Sequence, residues 1–295
     1  MTMLEQKLRI AFSGLIFDFI SEIPLGLSPE LQPFLTEEKG DATDSYRISV
    51  LHHPLPPEGE LFFQNREVQV YAKGKDRLFY FRTMADERGL VPVCRITDRG
   101  EHQLYFPEDW AERLREEHRL SGLMCMEQLL LRHNALLFHS SVVCHRDQVI
   151  LFSGPSGIGK STQAALWEQC YGAEILNGDR CILRIDPHEI TGGGSPWCGS
   201  SGIYNPKHRP VKAIILLRQG KENRLERSRP SAAFPELYAQ CVIHPWDKAF
   251  VNTACDLLME LLNRIPVYTL SCLPDPSAAE LTHQSLFSPS PVSHS

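Results

Sequence analysis

Over residues 1–107 the apolar positions fall in short runs set apart by Gly, Pro and charged residues. Leu8–Phe12, Tyr46–Val50, Val68–Tyr71, Arg77–Phe81 and Val91–Ile96 are each predicted as a strand. No helical spacing intervenes, so the pattern predicts hairpins there. A helix is expected from Pro107 to His133, broken around Ser121–Gly122. Ala135–Phe138 and Val142–Cys144 then read as strand, His145–Gln148 as a polar turn, and Gln148–Phe152 as a buried strand. Beyond it come a helix over Ser161–Tyr171, strands at Cys181–Ile185 and Val211–Leu217, and a helix over Ala249–Leu262. In that last helix Phe250, Ala254, Leu257, Leu258 and Leu261 share one face. Val267–Ser271 is a final strand, and the Ser- and Pro-rich residues 285–295 are expected to be a disordered tail.

The order of elements predicts an α/β chain with a β-rich N-terminal domain at 1–107, a second domain with a mixed sheet at 108–284, and the tail at 285–295. Composition changes this picture little. Of 295 residues, 42% are hydrophobic and 22% charged, enough apolar material for a core. A net charge of −6 argues against a broad footprint for nucleic acid or an anionic membrane. No apolar run has the length of a membrane span, and the first residues lack the apolar core of a secretory signal. Nine cysteines are scattered with no C-x-x-C pair, which speaks against zinc and for reduced thiols in the cytoplasm.

The chemistry is concentrated after the strand at 148–152. Gly154, Pro155, Ser156, Gly157, Ile158, Gly159, Lys160 and Ser161 spell G-x-x-x-x-G-K-[ST], the phosphate-binding loop, with Thr162 next to it. Its glycines let successive backbone N–H groups turn inward onto a polyphosphate. Lys160 brings a point charge to the outer phosphates, and Ser161 a hydroxyl for the Mg2+ that accompanies ATP. Strand, loop and helix follow in the order that sets phosphate on a helix N-terminus.

Such a loop needs a carboxylate nearby, to hold metal or to take a proton from an acceptor hydroxyl. Asp179 in Asn177-Gly178-Asp179-Arg180 is placed for that role; its other reading is an Asx-turn before the next strand. His139, at the edge of an apolar run, is a second catalytic candidate or a structural histidine. Gly192–Gly202 is rich in Gly and Ser around Trp197 and reads as an acceptor-facing loop or a surface connection. There Ser195, Ser200 and Ser201 offer hydroxyls. Lys207 and Arg209 are candidates to meet the transferring phosphoryl group, or a solvated basic turn. Asp247 is expected to cap the helix that follows it. Arg218, Arg224, Arg227 and Arg229 read as a solvated face.

The set His139-Ser-Ser-Val-Val, Gly154–Ser161 and Gly178-Asp179-Arg180 resembles, in order and spacing, the catalytic domain of HPr kinase/phosphorylase. The resemblance spans roughly residues 130–217. It implies the nucleotide-binding core shared with ATP-dependent phosphoenolpyruvate carboxykinase, and phosphoryl transfer from ATP to a hydroxyl. It also implies Asp179, His139 and Lys160 as catalytic groups, Ser161 and Asp179 as metal ligands, and Arg180 near the substrate. The Ser-Pro-Trp-x-Gly-Ser-Ser-Gly segment further resembles HPr-kinase-like proteins that phosphorylate a peptide serine or a small hydroxylated molecule. Family members form homo-oligomers. Two departures stand out. The family's first Asp is Gly178 here, and its HPr-docking segment is not recognisable, so HPr is not the expected acceptor. A nucleotide-binding ATPase or assembly protein without an acceptor is the competing expectation.

Overall fold

A computed structural model describes residues 5–110, 112–116 and 118–287. The chain divides into two units, Met1–Leu129 and Leu130–Ser295. The division falls after residue 129, so residues 108–129 go with the first unit and not with the second.

The first unit is built on eight strands: β1 (Gln6–Phe12), β2 (Leu15–Ser21), β3 (Asp44–Leu51), β4 (Glu60–Gln64), β5 (Val68–Lys73), β6 (Asp76–Phe81), β7 (Val93–Ile96) and β8 (Glu101–Pro107). They form one sheet in the order β1-β2-β3-β8-β7-β6-β5-β4. Alternate residues turn to the core, as the two-residue period requires: Ile10 and Phe12 from β1, Leu15, Phe17 and Phe19 from β2, Tyr46 and Ile48 from β3. Phe19 stacks on Tyr46 at 5.1 Å between ring centroids. The hairpin expectation holds for β1/β2 and for β4 through β8. It fails at β2/β3 and β3/β8, which are parallel. The link between β2 and β3 is long and carries a 3-10 turn at Gln32–Phe34, room enough to return the chain to the same end of the sheet.

The helix expected over 107–133 is also corrected. Pro107 closes β8 opposite Leu51. Glu108–Trp110 and Arg113–Arg115 are 3-10 turns, followed by α1 (Arg119–Leu123) and α2 (Met126–Arg132). His118 and Cys125 stand at φ 62° and 49°, and each left-handed residue stops a helix from running through.

The second unit contains β9 (Ala135–His145), β10 (Gln148–Ser153), α3 (Lys160–Tyr171), β11 (Glu174–Asn177), β12 (Arg180–Ile185), β13 (Ile190–Gly193), β14 (His208–Gln219), β15 (Arg224–Arg227), α4 (Pro230–Gln240), α5 (Lys248–Arg264), β16 (Val267–Cys272) and α6 (Pro276–Phe287). The sheet is mixed, as expected. β9 is one long strand, joined to β10 by a turn in which Arg146 and Asp147 both take positive φ. Its first half pairs with β12 and its second half with β10 and β11. β14 is shared in the same way, with β13 at its start and β10 and β16 further on. Pairings therefore run in a closed circuit through β9, β12, β13, β14 and β10.

Period-two alternation in β10 and β14 builds a core on each face of this sheet. Val149, Leu151, Ile214 and Leu216 face α4 and α5, meeting Leu237, Phe250, Ala254, Leu258 and Leu261. Ile150, Phe152, Ala213, Ile215 and Leu217 face α3 and α6, meeting Ala164, Trp167 and Ala279. A strand covered on both faces is apolar where it is covered, and Val149–Phe152 of β10 is. Asp247 caps α5, its Oδ1 accepting from the N–H groups of Ala249 (3.1 Å) and Phe250 (3.2 Å). Residues 285–287 of the expected tail are the last turn of α6; the remainder, 288–295, lies outside the described residues. Among the described residues no helix is long and apolar enough to cross a membrane.

Candidate active site

The loop between β10 and α3 is where the backbone demands glycine. Gly154, Gly157 and Gly159 take φ of 141°, 75° and 109°, values an L side chain resists. At Gly154 a Cβ would also lie 3.3 Å from Ile158 Cγ2. Lys160 opens α3 and turns back into the loop. Its Nζ donates to the carbonyls of Gly154 (3.0 Å) and Pro155 (3.2 Å). Only 8% of Lys160 is exposed, and burial draws the ammonium below its ordinary value, against the pull of Asp179.

Two strands of the circuit bring the other groups to the loop. His139 of β9 and Arg180 of β12 are cross-strand partners, and Asp179 immediately precedes β12. His139 Nε2 lies 2.8 Å from Asp179 Oδ1. The hydrogen bond from His139 holds the Asp179 carboxyl below the usual carboxylate range despite partial burial, and the charges of Arg180 and Lys160 add to it. Arg180 Nε is 3.4 Å from Asp179 Oδ2. These neighbours favour the charged carboxylate, with His139 bonded at Oδ1 and the Arg180 guanidinium beside Oδ2.

The Asx-turn reading also holds, one residue earlier. Asn177 Oδ1 accepts from the N–H groups of Asp179 (2.7 Å) and Arg180 (2.8 Å). Its Nδ2 donates to the Ser195 carbonyl at 2.8 Å, and Ser195 Oγ donates to the Arg180 carbonyl at 2.9 Å. Ser195 is fully buried, so the hydroxyl expected to face an acceptor is a brace for the Asp179 turn.

A cleft of about 520 Å³ joins these groups. His139 and Asp179 line it on one side, Ser156, Lys160, Ser161 and Thr162 on another, and Ser200 and Ser201 on a third. Two glycines set its wall. A Cβ on Gly178 would stand 2.4 Å from Ser201 Cβ, and one on Gly199, at φ 56°, would stand 2.9 Å from Asp179 Cγ. The space beside Gly178 is therefore filled by Ser201, whose Oγ donates to the Cys198 carbonyl at 2.6 Å.

Several expected residues are elsewhere. Lys207 Nζ is held by Glu174 Oε2 at 2.7 Å, a bond that raises the amine and lowers the acid. Arg209 Nε lies 3.2 Å from Asp147 Oδ1. Neither lines the cleft, because β14 begins at His208 and fixes both against β11 and the β9–β10 turn. Trp197 and Arg180 do not line it either. Sequence reasoning missed Cys198 and Gly178 as wall-formers. The cue was the glycine spacing itself, which marks close backbone approach.

Ser161 and Asp179 supply a hydroxyl and a carboxylate to the same cleft. Among the described residues no group of three or more His, Cys, Asp or Glu side chains converges as a metal site. Magnesium asks for less: one or two carboxylates, with phosphate and water completing its shell. The donor set suits Mg2+ that arrives with a polyphosphate.

No family model matches the chain, and no curated protein matches it. Among solved structures, the HPr(Ser) kinase/phosphatase from Coxiella burnetii is similar over 50% of this chain and 91% of that one, with 12% identity and a TM-score of 0.28. That is a distant likeness, too loose to transfer a residue's role.

Proposed function

We propose that the chain is an ATP-dependent kinase that phosphorylates a hydroxyl, on a peptide serine or a small hydroxylated molecule. The observation that carries this reading is the Asp179 carboxylate, bonded to His139, in one cleft with the lysine and hydroxyls of a phosphate loop. An ATPase that only drives a conformational change needs the loop. An oriented carboxylate facing the outer phosphates serves in addition to position an attacking hydroxyl.

In this reading the loop N–H groups and Lys160 hold the β- and γ-phosphates. The acceptor oxygen forms a bond to the γ-phosphorus as the bond to the bridging oxygen breaks, and ADP leaves. The hydroxyl proton passes to Asp179. A carboxylate of lowered basicity is adequate, because in a loose transition state there is little covalent chemistry for the protein to do and positioning dominates. His139 keeps the carboxylate aimed and disperses its charge. Ser161 and Asp179 would hold the Mg2+ that comes with ATP, and its charge would offset that of the phosphates.

The test is transfer of labelled γ-phosphate from ATP into peptide and small-molecule fractions of a cell extract. A labelled product that disappears with Lys160→Ala is expected. ATP consumed with no phosphorylated product would leave the ATPase reading, and nucleotide bound but never consumed would leave an assembly protein.

A further inference from the structure

β10, β14 and β16 are parallel neighbours, and ligands of open α/β sheets bind beyond the carboxyl ends of such strands. The phosphate loop leaves the end of β10. The ends of β14 and β16 carry Gln219–Gly220 and Leu273–Pro274, and these line a second cleft of about 390 Å³. Gly157, Gly159 and Thr162 line both clefts. The loop therefore stands between them, with His139 and Asp179 on the β9/β12 flank and the second cleft on the β14/β16 flank.

The second cleft has a built wall. Gln163, one residue past Thr162 on α3, is only 2% exposed, and its Oε1 has no hydrogen-bond partner. The orientation of its amide is determined by its neighbour. Cys272 Sγ donates to the Arg218 carbonyl at 3.8 Å, so toward Gln163 the sulfur accepts, from Nε2 at 3.5 Å. What remains is an acceptor, held by one weak N–H···S bond about a soft terminal torsion. A buried acceptor without a donor is a standing cost that a ligand donor relieves. Beside it Leu273 is 38% exposed, a flat apolar surface, and its N–H is fixed by Asn223 Oδ1 at 2.8 Å. At Gly220 a Cβ would come within 2.9 Å of the Glu222 carbonyl oxygen and 3.1 Å of Cys272 N, so only glycine lets the two loops close up.

We propose that this second cleft takes the nucleobase of the phosphate donor, packed on Leu273, and that Gln163 reads an amino group on that base. A triphosphate laid along the loop has its outer phosphates toward Asp179 and its nucleoside end toward Thr162 and Gln163. A planar ring suits the apolar wall, and the buried, unpartnered amide oxygen, brought round by rotation about its terminal torsion, suits an exocyclic amine. The inference rests on Gly154–Ser161 holding a polyphosphate, and the experiment separates the two.

Binding of ATP, inosine triphosphate and inorganic tripolyphosphate, each with Mg2+, is measured by calorimetry for the wild type, Gln163→Met and Leu273→Ser. Inosine triphosphate carries a carbonyl where ATP carries the amine. The wild type is expected to bind ATP about tenfold more tightly than inosine triphosphate, one hydrogen bond's worth. Gln163→Met, of similar length and without the amide, binds both equally. Leu273→Ser, at an exposed position that folding tolerates, weakens both nucleotides alike and leaves tripolyphosphate unchanged. The inference is overturned if the wild type does not separate ATP from inosine triphosphate, if Gln163→Met keeps the wild-type ratio, or if Leu273→Ser changes nothing. If tripolyphosphate itself does not bind, the phosphate-loop reading has failed, and the base reading with it.

Discussion

Asp179 is a carboxylate held below its ordinary value chiefly by one imidazole, and its replacement separates binding from chemistry. Asp179→Asn is expected to retain nucleotide and to lose transfer by about 10²–10⁴-fold, the usual worth of a positioned proton acceptor; an unchanged rate in a coupled assay would remove Asp179 from the chemistry. The sign of its acid dependence follows from the lowered value. Stabilisation by the pair is present at neutral pH and is lost as pH falls through the lowered folded value. Wild-type stability should therefore drop more steeply at the acid end than that of Asp179→Asn, by denaturant titration. Gly178 invites the opposite experiment. A second acid introduced as Gly178→Asp puts Cβ against Ser201, and such overpacking costs about 1–3 kcal/mol. The variant is expected to lose stability and activity, and Ser201→Gly added to it should recover stability. Residues with local chemistry were legible here: the loop by its motif, Asp179 and His139 by their position around it. Ser195 was not, since its burial and its bonds to Asn177 and Arg180 come from strands distant in sequence.

At the scale of elements, α5 and α6 differ in how plainly they announced themselves. α5 was legible from its apolar face and its cap, and Asp247→Ala should cost about 1 kcal/mol by chemical denaturation. The end of α6 was read as tail because Ser and Pro dominate beyond it. The overlooked signal was Asp275-Pro276, a capping residue before proline at the first helical position; Asp275 Oδ1 accepts from Ser277 N–H at 3.0 Å. α6 packs on α3 through a stack of rings in which His283 lies 4.0 Å from Tyr171 and 5.3 Å from His145, centroid to centroid. Burial lowers both imidazoles, His145 is further lowered by His283, and Arg146 lowers both. Lys212 and Arg146 each stand 5.5 Å over Phe287 at the end of the same stack, and Glu280 faces Tyr171. As pH falls through the ordinary histidine range, the unfolded chain takes up protons that the folded one resists, so stability declines. From about pH 7.5 to about pH 5.5 the wild type should lose more stability than His283→Phe. Equal losses would mean that these rings do not titrate with folding. β11 and β13 went unread because each is four residues long and owes its conformation to a neighbouring strand.

For the whole molecule, the α/β class and the mixed second sheet were legible, whereas the parallel pairs of the first sheet were not, because parallel pairing depends on what long connections do. Mg·ATP at a hundred times its dissociation constant should stabilise the folded state by about 2.7 kcal/mol. Hydrogen exchange would localise that gain to the loop and α3 in the second unit; protection confined to the first unit would contradict the site. The circuit through β9, β12, β13, β14 and β10 has a mechanical consequence. The ring ties the end of β10, from which the phosphate loop leaves, to β9 beside His139, so the loop and His139 are expected to keep their spacing whether the cleft is empty or filled. Any closing motion is left to residues 196–204, pinned at one end by Ser195 and at the other by Asn205, whose N–H donates to Leu176. For the kinase proposed above, so short a crest would shelter a single protruding hydroxyl without wrapping an entire acceptor, leaving the body of that acceptor outside, in water.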